Sequence, residues 1–200
     1  MLDFFLDVFF VGIAYLMGSV PCGLLLAKYA GMGDIREQGS GNIGATNVLR
    51  NCGKKLGAIA LACDALKGFI PVLLAKFFGS EWGAAFAALA AVLGHIFPVW
   101  LHFKGGKGVA TTLAVYAALS PGLFIFAGLT WSAVFYISRI SSLSSIVTMI
   151  VTPIVAMFFA KASGVSFVVF VLSGIVVYKH KDNILRLLRG EETAFGEKEP

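Results

Sequence analysis

Apolar stretches separated by short polar, glycine-rich ones run along the whole chain. The apolar segments fall at residues 4–30, 55–78, 82–101, 109–120, 122–138, 146–160 and 165–178. A helix rises about 1.5 Å per residue, so crossing the hydrocarbon layer takes roughly 20 residues. The first three segments reach that length. The later four are shorter and depend on the breaks at Pro121-Gly122 and Ala162-Ser163-Gly164. The pattern predicts an all-α membrane protein, a polytopic bundle of about seven transmembrane helices.

Composition agrees with lipid as the solvent. Hydrophobic residues make up 58% of the 200 and charged residues only 14%, against about a quarter charged in a soluble domain. A large core cannot account for the shortfall, because small domains have proportionally more surface to cover. One transmembrane domain is expected over residues 1–190, followed by a charged, frayed tail at 191–200. The acidic start, with Asp3 and Asp7, argues against a cleaved signal peptide, so the first span is expected to be retained. The net charge of +5 is spread between apolar spans, which argues against a nucleic-acid partner.

The basic residues set the orientation. Lys28, Arg36, Arg50, Lys54 and Lys55 follow the first span, and the turn at 76–81 is nearly neutral. Lys104 and Lys107 come next, then an uncharged turn at Pro121. Arg139 follows the fifth span, Lys161 the sixth, and Lys179, Lys181, Arg186 and Arg189 the seventh. Seven spans with the N-terminus outside and the C-terminus cytoplasmic satisfy the positive-inside rule throughout. A five-span alternative fuses 109–138 and 146–178. It puts Arg139 and the Ser141-Ser142 run outside and Lys161 mid-membrane, at a cost of at least a few kcal/mol for the buried charge.

Within the spans the residues read as structural. Asp64 and Lys67 lie three apart on one helical face, as an ion pair would. His95 is expected to hydrogen-bond between helices. Trp82 and Trp100 bracket the third span as interfacial anchors, and the alanine-rich run at 83–93 offers a surface for close helix contact. Cys22, Cys52 and Cys63 have no metal-ligand spacing and read as small apolar fillers.

The chemistry gathers in the loops. The first reads GSGNIGATNVLR over residues 39–50. Its glycines, Gly41 and Gly44 among them, let the backbone approach a ligand. Ser40, Asn42, Thr46 and Asn47 add neutral donors, and Arg50 adds a forked cation suited to phosphate. Gly39, Gly41 and Gly44 also match G-x-G-x-x-G, but the preceding segment is a membrane span rather than a strand, which removes the dinucleotide reading. The second loop, His102 to Gly108, sets Lys104 and Lys107 around Gly105 and Gly106, a second phosphate-suited arrangement. It lacks Walker spacing. The third carries Ser141, Ser142, Ser144 and Ser145, and the fourth His180, Asp182 and Asn183. No metal-binding cluster, G-x-S-x-G elbow or H-x₄-D box is present in the sequence.

At these residues the chain resembles a known family. The run GSGNIGATNVLR, the Gly94-His95 and Phe97-Pro98 stretch, KGGKGVAT at 104–111 and HKDN at 180–183 are similar to bacterial acyl-phosphate:glycerol-3-phosphate acyltransferases. The similarity runs from about Gly18 to the tail. It implies transfer of a fatty acyl group from acyl phosphate to the 1-hydroxyl of glycerol 3-phosphate, the first acylation of phospholipid synthesis. The products are 1-acyl-glycerol 3-phosphate and phosphate. It also implies a multi-pass protein of the cell inner (plasma) membrane whose active site faces the cytoplasm. No cofactor, metal or obligatory protein partner is expected; the partners are the two substrates and the bilayer. Lys104 with the Gly105 and Gly106 amides is the candidate hold on one phosphate. Ser40, Gly41, Asn42, Gly44, Thr46, Asn47 and Arg50, with Lys107, are the candidates for binding substrate. Ser142 and Asn183 are candidates for orientation. Which loop takes which phosphate stays open, as does the choice of base between His180 and a substrate phosphate. A small organic-anion transporter, with its site at broken helices near the midplane, and a lipid-binding scaffold are the alternatives from other classes.

Overall fold

A computed structural model describes residues 1–159 and 163–196, so the expectations for Lys161 and for 197–200 lie outside the described residues. Ten α-helices and two short 3-10 turns, with no strand, make up the described chain. The helices are α1 (Leu2–Gly18), α2 (Cys22–Tyr29), α3 (Ala45–Cys52), α4 (Lys54–Phe78), α5 (Glu81–Ile96), α6 (Val109–Leu119), α7 (Pro121–Ser138), α8 (Ser141–Phe159), α9 (Ser163–Lys179) and α10 (Lys181–Arg189). Five stretches are long and apolar enough to cross a membrane: Leu2–Tyr29, Lys54–Phe78, Glu81–Leu101, Pro121–Ser138 and Ser141–Phe158. The pair α9 and α10, bent by 56° at its break, makes a sixth only if the two count as one broken span. At 11 residues, α6 is about 16 Å long and does not reach across alone.

The outward faces explain why these helices need lipid. Phe77, Ile137, Phe158 and Phe170 are each more than two-thirds exposed. In water such a belt is an aggregation surface; in hydrocarbon it meets its own kind. Between helices hydrocarbon gives no hydrophobic drive, so close packing must hold the bundle. The α1–α5 contact shows how. A Cβ on Gly18 would lie 2.1 Å from the Ala91 carbonyl oxygen, and one on Gly94 would lie 2.4 Å from that of Tyr15. Ala84, Ala87, Ala88 and Ala91 are buried on the same helix, so the alanine-rich run is the tight surface.

Hydroxyls along α8 find partners within their own helix. Ser144, Ser145, Thr148 and Thr152 on α8 each donate to the carbonyl four residues back, at 2.7–2.8 Å, which is how hydroxyls are tolerated in a membrane span. The first apolar segment is not one straight helix. Pro21 disfavours helical geometry at Val20, and the chain breaks between α1 and α2. The freed Val20 carbonyl accepts from the Lys67 ammonium at 2.7 Å. That ammonium also lies 2.8 Å from Asp64 Oδ1.

Contacts tie helix ends into two sets. At one end Asp7 accepts from the Ser80 N–H and hydroxyl, Lys76 donates to the Ala118 and Leu119 carbonyls, and Glu81 accepts from the Gly164 N–H. At the other, Thr46 meets Ser141, Lys107 donates to Asn183 and Arg50 donates to Thr193. The tail is not frayed where it is described. Residues 191–196 fold back on the second end because their polar groups find partners there, as set out below.

Candidate active site

All four loops meet at that second end, around a cavity of about 680 Å³. Ser40, Asn42, Gly44, Thr46, Asn47 and Arg50 of the first loop line it, with Lys107 of the second. Ser142 of the third loop and His180 and Asn183 of the fourth complete that group. Gly41, Lys104, Gly105 and Gly106 are not on the wall.

The second loop thus differs from its expectation, and the reason is local. The Gly105 N–H donates to the Ile96 carbonyl and the Gly106 N–H to that of His95, both at 3.1 Å. These amides close the chain back onto the end of α5 and are not aimed at a ligand. A Cβ at Gly105 would sit 2.2 Å from the His95 carbonyl oxygen, and one at Gly106 2.2 Å from the His95 ring nitrogen Nε2. Close backbone approach to α5 is what requires these glycines. Lys104 ends up exposed, while Lys107, three residues on, reaches inward.

In the first loop the expected donors divide. Asn47, 2% exposed, donates from Nδ2 to the Ile35, Gln38 and Asn42 carbonyls at 2.9–3.1 Å. Its Oδ1 accepts from the Ser40 N–H and from Asn51. It is the knot that shapes the loop, and its hydrogen bonds are consumed. Asn42 likewise accepts from the Gly44 N–H. Gly41, at φ +67°, makes the left-handed turn that a side chain would strain. Ser40 and Thr46 stay exposed at the rim. Arg50 sits in the wall and donates to the Thr193 carbonyl at 3.2 Å.

On the opposite wall Lys107 donates to Asn183 Oδ1. Burial pulls the Lys107 ammonium down to a pKa of about 8, so near neutral pH it is a cation that has lost much of its water. His180 Nδ1 lies 2.7 Å from the Val176 carbonyl. A carbonyl only accepts, so Nδ1 carries the proton and Nε2 keeps a lone pair. Burial, reinforced by the Lys107 charge and opposed by the Val176 contact, pushes the His180 pKa down to about 4. The ring is neutral at physiological pH and can accept a hydrogen bond, but it holds a proton poorly.

Several lining residues escaped the sequence reading. Arg186 and Glu192 look there like ordinary tail charges. Yet the Glu192 carboxylate accepts from Ser142 Oγ, Asn183 Nδ2 and Arg186 Nε. Asp64 and His95 reach the cavity from inside the bundle, where Thr111 donates to the Asp64 carbonyl and meets His95 Nδ1 at 3.3 Å. Leu49, Leu61, Leu113 and Trp131 add an apolar wall. Of the four serines of the third loop only Ser142 was a candidate from the sequence; Ser141 and Ser145 line the cavity beside it. Among the described residues no three His, Cys, Asp or Glu side chains gather as a metal site.

Known proteins resemble this chain in sequence and in fold. The profile of the glycerol-3-phosphate acyltransferase family matches residues 8–190. The glycerol-3-phosphate acyltransferase of Sinorhizobium medicae (strain WSM419) is 50% identical over 184 residues, covering 92% of this chain and 90% of that protein. That of Erythrobacter litoralis (strain HTCC2594) is 46% identical over 93% of each. Among solved structures, the glycerol 3-phosphate form of PlsY (YgiH), an integral membrane glycerol 3-phosphate acyltransferase, superposes with a TM-score of 0.91 at 45% identity. It covers 95% of this chain and 96% of that one. Its lysophosphatidic acid form gives 0.88 at 44% identity, with 95% of each chain covered.

Proposed function

This chain belongs to the glycerol-3-phosphate acyltransferase family, and on that footing we propose that it moves a fatty acyl group from an acyl phosphate to the 1-hydroxyl of glycerol 3-phosphate. One observation carries the reading: a single cavity joins several cations to an apolar wall. Lys107, Arg50 and Arg186 face it from the loops, and Leu61, Leu113 and Trp131 from the bundle. Both substrates present a phosphate and one presents a lipid tail, so this lining suits both at once.

The transfer needs no covalent enzyme intermediate, because the acyl phosphate is already activated. The glycerol hydroxyl oxygen attacks the acyl carbon, the bond from that carbon to the phosphate oxygen breaks, and inorganic phosphate leaves. The chain's part is alignment and charge neutralisation. Lys107, Arg50 and Arg186 neutralise phosphate charge, and Ser142 and Asn183 orient the glycerol 3-phosphate by donating to its phosphate. His180 Nε2 accepts a hydrogen bond from the attacking hydroxyl. With so low a pKa it is a poor resting place for the proton. A substrate phosphate, whose second ionisation lies near pH 6, takes it.

The test is purified protein supplied with acyl phosphate and glycerol 3-phosphate, and then the same protein in sealed vesicles. Lysophosphatidate should form in both, with no gradient imposed. Uptake of glycerol 3-phosphate without product under any donor would favour a transporter. The same assay separates the two bases. In His180→Gln the acidic limb of the pH–rate profile should persist near pH 6; its disappearance would make the histidine the base.

We further infer seven crossings with the N-terminus outside and this cavity on the cytoplasmic side of the inner membrane. The pairwise ties between helix ends support an alternation in which α6 counts as a crossing. Labelling decides it. Ser142 is only 8% exposed and would be shielded on either side, so the probe belongs on exposed Arg139. In a background lacking Cys22, Cys52 and Cys63, Arg139→Cys should resist an impermeant thiol reagent in intact cells and react after lysis. Ready labelling from outside supports the five-span topology.

A further inference from the structure

The tail does not merely rest near the cavity. Ser142 from α8 and Asn183 and Arg186 from α10 send three donors to one carboxylate, that of Glu192, at 2.5, 2.6 and 2.6 Å. Convergent donors on a single point make an anion position. One residue later the Thr193 carbonyl takes the Arg50 guanidinium at 3.2 Å. Two cations of the cavity are thus covered by the chain's own acceptors.

The segment is pinned at both ends. Gly190, at φ +70°, turns the chain out of α10, and the Glu191 N–H returns to the Arg186 carbonyl at 2.8 Å. Further on, the Phe195 N–H donates to the Arg139 carbonyl at 2.7 Å, and its ring meets Phe135 edge-on at 5.7 Å. Glu192 lies two residues past the stretch that the family profile matches. A fixed carboxylate beside a site for phosphates opposes a loaded site by like-charge repulsion.

We propose that residues 191–196 form a strap that closes the anion position in cis, with the Glu192 carboxylate standing in for a phosphate on Ser142, Asn183 and Arg186. The strap and an anionic ligand compete for the same donors, and ligand binding requires Glu192 to withdraw. The ligand class, phosphate or a phosphate monoester, rests on the acyltransferase reading. Competition lowers apparent affinity by the fraction of molecules that are open.

The experiment measures binding rather than turnover. Full-length protein in detergent is titrated calorimetrically with glycerol 3-phosphate and, separately, with inorganic phosphate. Glu192→Gln removes the charge at nearly constant shape. Phe195→Ala loosens the anchor without touching the cavity. Both should tighten Kd by about tenfold, as for a strap closed in roughly nine molecules of ten. Unchanged or weaker binding in Glu192→Gln overturns the strap; if that variant does not fold, Phe195→Ala decides by the same criterion. Lysophosphatidate formed with an unchanged Kd would sink the strap and leave the enzyme. Tightened phosphate binding without acyl transfer would do the reverse.

Discussion

Replacing Lys107 with alanine is expected to lower kcat/KM for glycerol 3-phosphate by about 10²–10³-fold, the usual loss when one preorganised donor to developing charge is removed. The protein should stay folded, since the ammonium reaches the cavity from a loop and its bond is to Asn183. Lys104→Ala is the control. Its exposed charge contributes at most about 1 kcal/mol, or roughly fivefold. Lys107→Arg should restore activity only in part, because a planar fork does not replace a compact ammonium. The pH dependence has a definite sign. The free enzyme's Lys107, with its pKa lowered to about 8, is charged below that pH and neutral above it. The kcat/KM profile, which reports the free enzyme, should therefore fall on the alkaline side near pH 8. Arginine stays charged throughout, so that limb should be missing in Lys107→Arg. Equal losses in Lys104→Ala and Lys107→Ala would remove Lys107 from its special place.

The second large effect is on stability. Asp64→Ala should destabilise the bundle by about 3–5 kcal/mol, because it leaves the buried Lys67 ammonium without its counter-charge. Asp64 is 1% and Lys67 6% exposed, so little solvent reaches the ammonium. The Val20 carbonyl alone would remain to the ammonium. Thermal unfolding in detergent should show a marked fall in Tm. The double variant Asp64→Leu with Lys67→Met removes both charges, and apolar replacement of a buried pair is often neutral. It should recover most of the lost stability. If it folds and works, the pair is structural. If it folds and makes no lysophosphatidate, the pair acts chemically at the cavity floor it lines.

How much of this was written in the sequence follows from the range of the forces involved. Hydropathy is a local sum, and lipid demands that each crossing satisfy its own backbone and present apolar side chains along its length. The membrane class, the candidate spans and the loops that carry chemistry were therefore legible from residues 1–200 alone. Asp64 and Lys67, three apart on one helix, were legible for the same reason.

What spacing cannot rank is which loop group ends up facing which. Lys104 and Lys107 sit in the same glycine-rich run. Only the docking of Gly105 and Gly106 onto the end of α5 turns Lys107 inward and leaves Lys104 outside. Asn47 looked like a ligand donor, yet three carbonyls brought together by the folded loop use up its amide. The break at Pro21 takes its meaning from Lys67, 47 residues along the chain from the Val20 carbonyl it frees. The tail looked frayed because the contacts that hold it across the cavity are distant in sequence; Ser142 and Arg50 lie 50 and 143 residues from the groups they meet. The sequence by itself determined the solvent, the apolar segments and the inventory of chemical groups, since each depends on neighbours along the chain. Tertiary structure alone decided which groups share the cavity, because hydrogen bonds and burial act over a few ångströms of space whatever the separation in sequence.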